Sequence, residues 1–329
     1  MQEQFFEPEQ DIELLKKQEK SKIRLTAMFI GLAMLVTVIV TVFFAPIYIS
    51  LLSLFGVAPS DAIRYASDPM VLQLVNQILS VIMFVFPFFI VLSGCGLKTR
   101  EAISFARPKK KTFLSVFLMS VGFCGFANIG GSTIISLIES LGIDVPDNTV
   151  IIPEGISGIV ISIVGAAVIA PLAEEFAIRG VVMGSLRPFG DRFAICVSAV
   201  LFGLMHTNLQ QIPFAFIVGL ALGFAVIKTD SIWTGIAVHA VNNLIATVIT
   251  ILSQNLALQY TMLLNLVFFA LCIIASFAGV LLLRDADDKK LIEKKPTLLG
   301  ERKATAAFFT SPFIIAYIVL AVYETVTRL

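Results

Sequence analysis

The sequence is poor in charged residues and has only two histidines. Asp, Glu, Lys and Arg make up 14% of its 329 residues, against about 25% in a typical soluble domain. Hydrophobic residues make up 57%, and several apolar runs approach the ~20 residues with which a helix spans a bilayer. This composition argues against an ordinary soluble domain, and no basic patch suggests nucleic acid as a partner. It predicts an all-α fold, a polytopic transmembrane helical bundle of about eight to nine membrane helices in the lipid bilayer.

Other common patterns are missing as well. No short apolar core follows a basic start within residues 1–24, so we predict a cytoplasmic N-terminal tail and a retained first membrane helix rather than a cleaved signal peptide. The four cysteines form no CxxC pair, which favours small core residues over a metal site. The HExxH pattern of zinc proteases is absent, and no inverted repeat of broken helices indicates a transporter.

The apolar runs divide the chain into four regions. We predict the tail over 1–24, three membrane helices within 25–155, a core over 156–252, and further membrane helices with a basic cytoplasmic loop over 253–329. With about nine crossings and a cytoplasmic N-terminus, all but three of the 24 lysines and arginines lie on the cytoplasmic side. This asymmetry predicts a multi-pass protein of the cell membrane whose N-terminus is cytoplasmic.

One apolar run is interrupted by charges. Glu174, Glu175 and Arg179 lie within a segment that otherwise has the pattern of a membrane helix, and ionisable residues there are costly and usually functional. Glu175 and Arg179 are four residues apart, so they can pair on one face of a helix. Glu174 points about 100° away, since a helix has 3.6 residues per turn. It continues a series of small residues spaced four apart, which predicts that it faces the bundle, and Pro171 predicts a kink just before it.

Both histidines follow Glu174 in apolar segments. His206 ends one predicted helix, and His239 shares a face with Asn243 on another because they are four residues apart. Counted along their helices, Glu174, His206 and His239 lie roughly 16–20 Å from the cytoplasmic helix ends, at similar depth. A carboxylate beside a histidine can deprotonate a water, and a second histidine with an amide can stabilise an oxyanion. A zinc site formed by Glu174, His206 and His239 is the other interpretation of the same residues.

These residues resemble a known family. The motifs are EExxxR from Glu174 to Arg179, FxxxH from Phe202 to His206, and HxxxN from His239 to Asn243. In this order and on separate helices they resemble the CPBP family, the CAAX proteases and bacteriocin-processing enzymes also called the Abi family. The resemblance covers roughly residues 155–252.

The resemblance implies an intramembrane endopeptidase that acts on a membrane-embedded or lipid-anchored protein or peptide. It implies that Glu174 and His206 activate water, that His239 and Asn243 stabilise the oxyanion, and that Glu175, Arg179 and Phe202 are structural supports. Eukaryotic members cleave prenylated CAAX proteins, and many bacterial members are linked to bacteriocin maturation or immunity. Nothing in the sequence identifies a prenylated substrate.

Three alternatives compete with this interpretation. A non-catalytic membrane scaffold or bacteriocin-immunity protein of the same fold is one, although the intact set of motif residues argues against it. The string from Gly155 to Gly158 matches the GxSG of rhomboid serine proteases, but Ser157 at a helix start is typical of a cap. The zinc interpretation is disfavoured because no carboxylate lies near either histidine in the sequence to orient it. We therefore predict a water activated by glutamate without an obligatory metal.

Overall fold

The computed structural model describes residues 8–146, 152–284 and 297–329, and within these ranges the regular elements are helices without any strand. The helices are α1 (Pro8–Leu54), α2 (Pro59–Ser67), α3 (Pro69–Gly94), α4 (Thr99–Ala102), α5 (Lys110–Ser140), α6 (Gly155–Val164), α7 (Ala170–Glu175), α8 (Gly184–Leu186), α9 (Asp191–Leu204), α10 (Ile212–Thr229), α11 (Ile232–Ser253), α12 (Leu258–Arg284), α13 (Glu301–Phe309) and α14 (Pro312–Val326). Two π-helical segments, π1 (Gly165–Ile169) and π2 (Phe176–Met183), join α6, α7 and α8 into one interrupted helix, and a 3-10 turn (Arg187–Phe189) ends it.

The predicted all-α membrane bundle is confirmed. Seven helices of the described part of the chain are long and apolar enough to cross a membrane, and α13 with α14 adds an eighth if this pair, bent by 71°, forms one span. The remaining predicted segment is α9, which has 14 residues and would reach only about 21 Å at ~1.5 Å per residue. The number of helices that could cross therefore depends on one bent pair and one short helix.

The first helix begins earlier than predicted. The sequence predicts its start near Leu25, after a polar tail over 1–24, whereas α1 is already helical at Pro8. Residues between Pro8 and Arg24 are rich in Glu, Lys, Gln and Leu, which have high helix propensity even where hydropathy is low. Residues 1–7 of that predicted tail, and 285–296 of the predicted basic loop, lie outside the described residues.

Small residues allow the helices around the core to approach closely. Gly219 of α10 lies against α9, since a Cβ placed there would be 3.0 Å from Cα of Ala199. Gly279 of α12 packs against α5 in the same way, with its Cβ position 2.5 Å from the backbone nitrogen of Met119. Such contacts stabilise helix pairs in lipid, where burial of apolar surface supplies little driving force.

Only two of the four cysteines lie in the core. Cys124 and Cys272 are buried, as expected of small core residues, whereas Cys95 is half-buried and Cys196 is exposed. All four are free thiols. Cys196 therefore contradicts the expectation that each cysteine fills the core, because its face of α9 is turned outward.

Candidate active site

The two adjacent glutamates lie between two π-helical segments. π1 ends one residue before α7, and π2 begins directly after Glu175. π-bulges inside α-helices occur frequently at functional sites, because the extra residue re-aims the side chains that follow. The series of small residues four apart does not keep one face through this region: Gly158 and Ser162 are buried, but Ala166 and Ala170 are only half-buried.

At the kink predicted near Pro171 the helix widens into π1, and the side chain of Asn243 supplies a hydrogen bond that the proline cannot make. In π1 the N–H of Ala170 donates to the carbonyl of Gly165, five residues back. The next such bond would join Pro171 to the carbonyl of Ala166, but proline has no N–H. Nδ2 of Asn243 donates to that Ala166 carbonyl instead, at 3.0 Å. One of the two amide N–H groups of Asn243 thus stabilises the interrupted helix, and the other has no acceptor among the residues that the structure describes.

A glutamine from α3 stabilises the start of the same interruption. Nε2 of Gln77 donates to the carbonyl of Ile161 at 2.9 Å. Gly165 makes room for this contact, because a Cβ at that position would overlap the Gln77 amide. Backbone groups freed inside a membrane need such partners, since no water is available to them in the bilayer core.

Glu175 is a shared acceptor at the centre of the site. Its Oε1 accepts from Nη1 of Arg179 at 3.0 Å and from Nδ1 of His239 at 3.0 Å. The side chains of Glu175 and Arg179 are both fully buried. Arg179 also donates from Nη2 to the carbonyl of Gly219 at 3.3 Å. Glu175 therefore binds Arg179 as predicted, and in addition it orients a histidine 64 residues further along the chain.

The contact with Glu175 determines the tautomer of His239. An ionised carboxylate only accepts hydrogen bonds, so Nδ1 of His239 must carry the proton. The Nε2 atom of the neutral ring is then an acceptor, and it lies 3.9 Å from Oε2 of Glu174. This distance is too long for a direct hydrogen bond. The Glu174 carboxylate, 14% exposed, and Nε2 thus face each other as two acceptors that a proton or a water can join.

His206 is held in the same tautomer by a different acceptor. Its Nδ1 donates to the carbonyl of Phe202 at 2.8 Å, which leaves Nε2 as the acceptor. The ring lies in the turn that follows α9, and the next residue, Thr207, has φ of 45°. A β-branched residue in the left-handed region is uncommon and strained, and such residues cluster at active sites. The strained turn therefore fixes the direction in which His206 leaves α9.

The ring of Phe202 contacts three of the polar side chains. Its centroid lies 5.2 Å from that of His206 and 5.7 Å from that of His239, both in near-perpendicular arrangements. Cζ of Arg179 lies 4.1 Å from the same centroid on a face of the ring, as in a cation–π contact. Because one phenyl ring touches both imidazoles, these come closer together than the ~15 Å beyond which a single site would be excluded.

The charged side chains of the site carry a net charge of −1 when both histidines are neutral. Glu174 and Glu175 as carboxylates and Arg179 as a guanidinium leave one negative charge while both histidines are neutral. A net charge is costly inside a membrane. One proton shared between Glu174 and Nε2 of His239 would make the group neutral, and the Glu175 carboxylate is placed to stabilise the resulting imidazolium.

The residues do not form a metal site in this arrangement. Both histidines present Nε2 and have Nδ1 bound to an acceptor, which is the usual orientation of a zinc ligand. However, no group of three or more His, Cys, Asp or Glu side chains converges on one point in the part of the chain that the structure describes. The zinc set Glu174, His206 and His239 is therefore not assembled. The expectation that no carboxylate orients either histidine is wrong, since Glu175 reaches His239 from another helix.

Contacts thus link the sequence-predicted Glu174, Glu175, Arg179, Phe202, His206 and His239. Glu175 has a second role, since it binds His239 as well as Arg179. Glu174, Glu175 and Arg179 lie on the interrupted helix, His206 follows α9, and His239 and Asn243 lie on α11. Sequence reasoning missed the contact between Glu175 and His239. The signal was available in part, because a histidine inside a membrane needs an acceptor for its N–H, and only two carboxylates lie in the predicted membrane core.

The fold and the site together define a class of protein. The chain is a multi-pass helical membrane protein whose polar cluster combines buried Glu175, Arg179 and His239 with half-buried Glu174, His206 and Asn243. Residues 156–245 match the family model described as "Type II CAAX prenyl endopeptidase Rce1-like". The resemblance to the CPBP family is therefore confirmed over this segment.

The chain is also similar to a bacterial protein whose name describes a membrane peptidase. The chain is 28% identical over 98 residues to the protein named "Putative membrane peptidase YdiL" of Bacillus subtilis (strain 168). The matched stretch covers 30% of this chain and 40% of the relative. No solved structure matches. The comparisons thus concern the segment that carries the three motifs.

Proposed function

We propose that the chain is an intramembrane endopeptidase that hydrolyses a peptide bond of a membrane-embedded or lipid-anchored substrate. The observation that carries the proposal is the pairing of Glu174 with Nε2 of His239, whose Nδ1 is bound by Glu175 at 3.0 Å. A carboxylate and an imidazole held face to face within a low-dielectric site form an acid–base pair that can exchange a proton. The family resemblance and the name of the bacterial relative support the same reaction class.

Glu174 is the general base in this proposal. It is the one carboxylate of the cluster without an ion-pair partner other than His239, so it is available to take a proton from water. His206 would accept a hydrogen bond at Nε2 from the O–H that the water keeps, which aligns the lone pair of the water with the scissile carbonyl. The water oxygen then bonds to the carbonyl carbon, and the carbonyl oxygen becomes an oxyanion.

His239 and Asn243 would stabilise that oxyanion. Neutral His239 cannot donate from Nε2, because its proton lies on Nδ1 toward Glu175. The protonated ring can donate from Nε2 while its Nδ1 still donates to Oε1 of Glu175 at 3.0 Å. The second N–H of Asn243, which the Ala166 carbonyl does not use, adds another donor. The proton of His239 can afterwards pass to the leaving amine as the C–N bond breaks.

The nature of the substrate follows from the place of the site. The cluster is enclosed by membrane helices, so a scissile bond must reach it from within or beside the bilayer. A lipid anchor or a membrane helix would bring the substrate there. Prenylated CAAX proteins, precursors of bacteriocins and other membrane peptides all meet this condition.

The test compares the wild-type protein with Glu174→Gln. The amide keeps the shape of the side chain but cannot act as a base, so we expect cleavage to disappear while the protein remains folded and in the membrane. N-terminal peptide mapping of membranes that contain either protein would reveal new N-termini that depend on Glu174, whichever membrane protein is the substrate. A substrate-trapping pull-down with Glu174→Gln would then identify the uncleaved protein.

The non-catalytic scaffold predicts a different outcome. In that case no N-terminus would depend on Glu174, and any phenotype of the wild-type protein would persist in Glu174→Gln. Arg64→Gln, an exposed charge change outside the matched segment, is the matched control and should leave every N-terminus unchanged.

A further inference from the structure

A cavity lies far from the glutamates along the chain. It has a volume of about 550 Å³ and lies between α1 and the break that separates α13 from α14. Its lining includes the polar or charged Ser21, Arg24 and Ser311 and the apolar Leu25, Met28 and Phe313. None of these residues falls within the segment that matches the family model. The cavity therefore needs an explanation apart from the proposed hydrolase.

The position of the cavity coincides with a change of polarity along α1. The helix is charged up to Arg24 and apolar from Leu25 onward. Such a boundary marks the depth at which a membrane helix passes from headgroups into acyl chains. On α1 the lining residues therefore change at this boundary from Ser21 and Arg24 to the apolar Leu25 and Met28.

Ser311 contributes a polar group without a partner. It is 3% exposed, and its hydroxyl has no hydrogen-bond partner in the described part of the chain. It precedes α14 directly, where a serine hydroxyl usually accepts from a backbone N–H of the first turn, but no such bond is present. The first N–H groups of a helix lack partners within the helix and attract anions. Hydroxyl and backbone groups at this helix start are both left for a ligand.

Arg24 supplies the charge that an anion requires. Its side chain lines the cavity and is exposed, and no described residue pairs with it. The nearest acidic residue along α1, Glu19, accepts from the backbone N–H of Leu299 at 2.9 Å. A free guanidinium, an unbonded hydroxyl and the start of a 15-residue helix therefore meet at one cavity.

We propose that this cavity binds an anionic glycerophospholipid of the membrane. The phosphate would lie between Arg24, Ser311 and the first turn of α14, and an acyl chain would extend along Leu25, Met28 and Phe313. The apolar lining of the cavity distinguishes a lipid from free phosphate, which has no apolar part to bury. A lipid held there would join α1 to the bent pair of helices near the C-terminus.

The experiment uses the full chain purified in detergent, with bound lipid counted by native mass spectrometry. Phosphatidylglycerol, phosphatidylcholine and inorganic phosphate are added separately over the same concentration range. We expect phosphatidylglycerol to bind about tenfold more tightly than phosphatidylcholine, as a gain of ~1.4 kcal/mol implies, and inorganic phosphate not to displace it. Arg24→Gln should remove this preference, and Ser311→Ala should weaken it.

Lys22→Gln provides the matched control. Lys22 is an exposed cation two residues from Arg24, and it does not line the cavity, so this variant should retain the preference for phosphatidylglycerol. Arg24 is exposed, so its substitution should not unfold the protein. The proposal is overturned if both lipids bind equally, if inorganic phosphate binds as tightly as the lipid, or if Arg24→Gln and Lys22→Gln have the same effect.

Discussion

Replacement of Glu175 by glutamine is expected to destabilise the protein much more than the same change at Glu174. Glu175 is fully buried and its Oε1 serves both Arg179 and His239 at 3.0 Å. Removal of one partner of a buried ion pair costs about 3–5 kcal/mol, because the other charge is left uncompensated. Glutamine retains an acceptor oxygen, and the Gly219 carbonyl and the Phe202 ring still contact Arg179. We therefore expect the free energy of unfolding to fall by about 3 kcal/mol, at the lower end of this range.

Thermal unfolding in one detergent measures this difference. Glu174→Gln is the matched control, since it makes the same chemical change one residue away, at a half-buried side chain that lies 3.9 Å from Nε2 of His239, too far for a direct hydrogen bond. The double variant Glu175→Gln with Arg179→Met removes both charges and should recover part of the lost stability. Equal destabilisation by Glu174→Gln and Glu175→Gln, or no recovery in the double variant, would refute the reasoning.

Two further predictions concern Asn243 and metal. Asn243→Ala should lower the free energy of unfolding by about 1–3 kcal/mol, because the Ala166 carbonyl is left without a donor. Thermal unfolding should show this loss. The control Asn255→Ala, which removes an exposed amide that also donates to a backbone carbonyl, should not show it. Purified protein should contain less than stoichiometric zinc and keep its activity after treatment with a strong chelator; stoichiometric zinc whose removal abolishes cleavage and whose return restores it would show instead that the histidines are ligands.

Much of the fold could be predicted from hydropathy and charge. Long apolar runs mark membrane helices because each must satisfy its own backbone in lipid. The apolar runs predict helices over about 213–228 and 232–252, and α10 and α11 begin and end within a residue of these bounds. The N-terminal extension of α1 was missed, since its helix formers are polar and hydropathy does not detect them. The bend of 71° before α14 was also missed, because Ser311 and Pro312 indicate where a helix starts but not its angle to the preceding helix.

The site could be predicted as a set of residues but not as a set of contacts. The three motifs identify side chains that approach one another, and the Phe202 ring contacts both His206, four residues later in the chain, and His239 of α11. That Glu175 binds His239 depends on how α7 and α11 pack, which spacing along one helix cannot reveal. The sequence did not predict the π-helical segments either, because residues 157–186 fit the 3.6-residue period of a regular α-helix.

The interruption before Pro171 also has a consequence for sequence alignment and for engineering. A π-helical segment holds one residue more than the α-helix that it interrupts. Deletion of Ala167 should let the backbone return to regular i to i+4 pairing and leave Glu174 directed toward His239, because the wide turn already absorbs the rotation of its extra residue. Chains related to this one should therefore be able to differ in length by one residue between Gly165 and Ile169 and keep the same site. An alignment of the motif should allow a gap there.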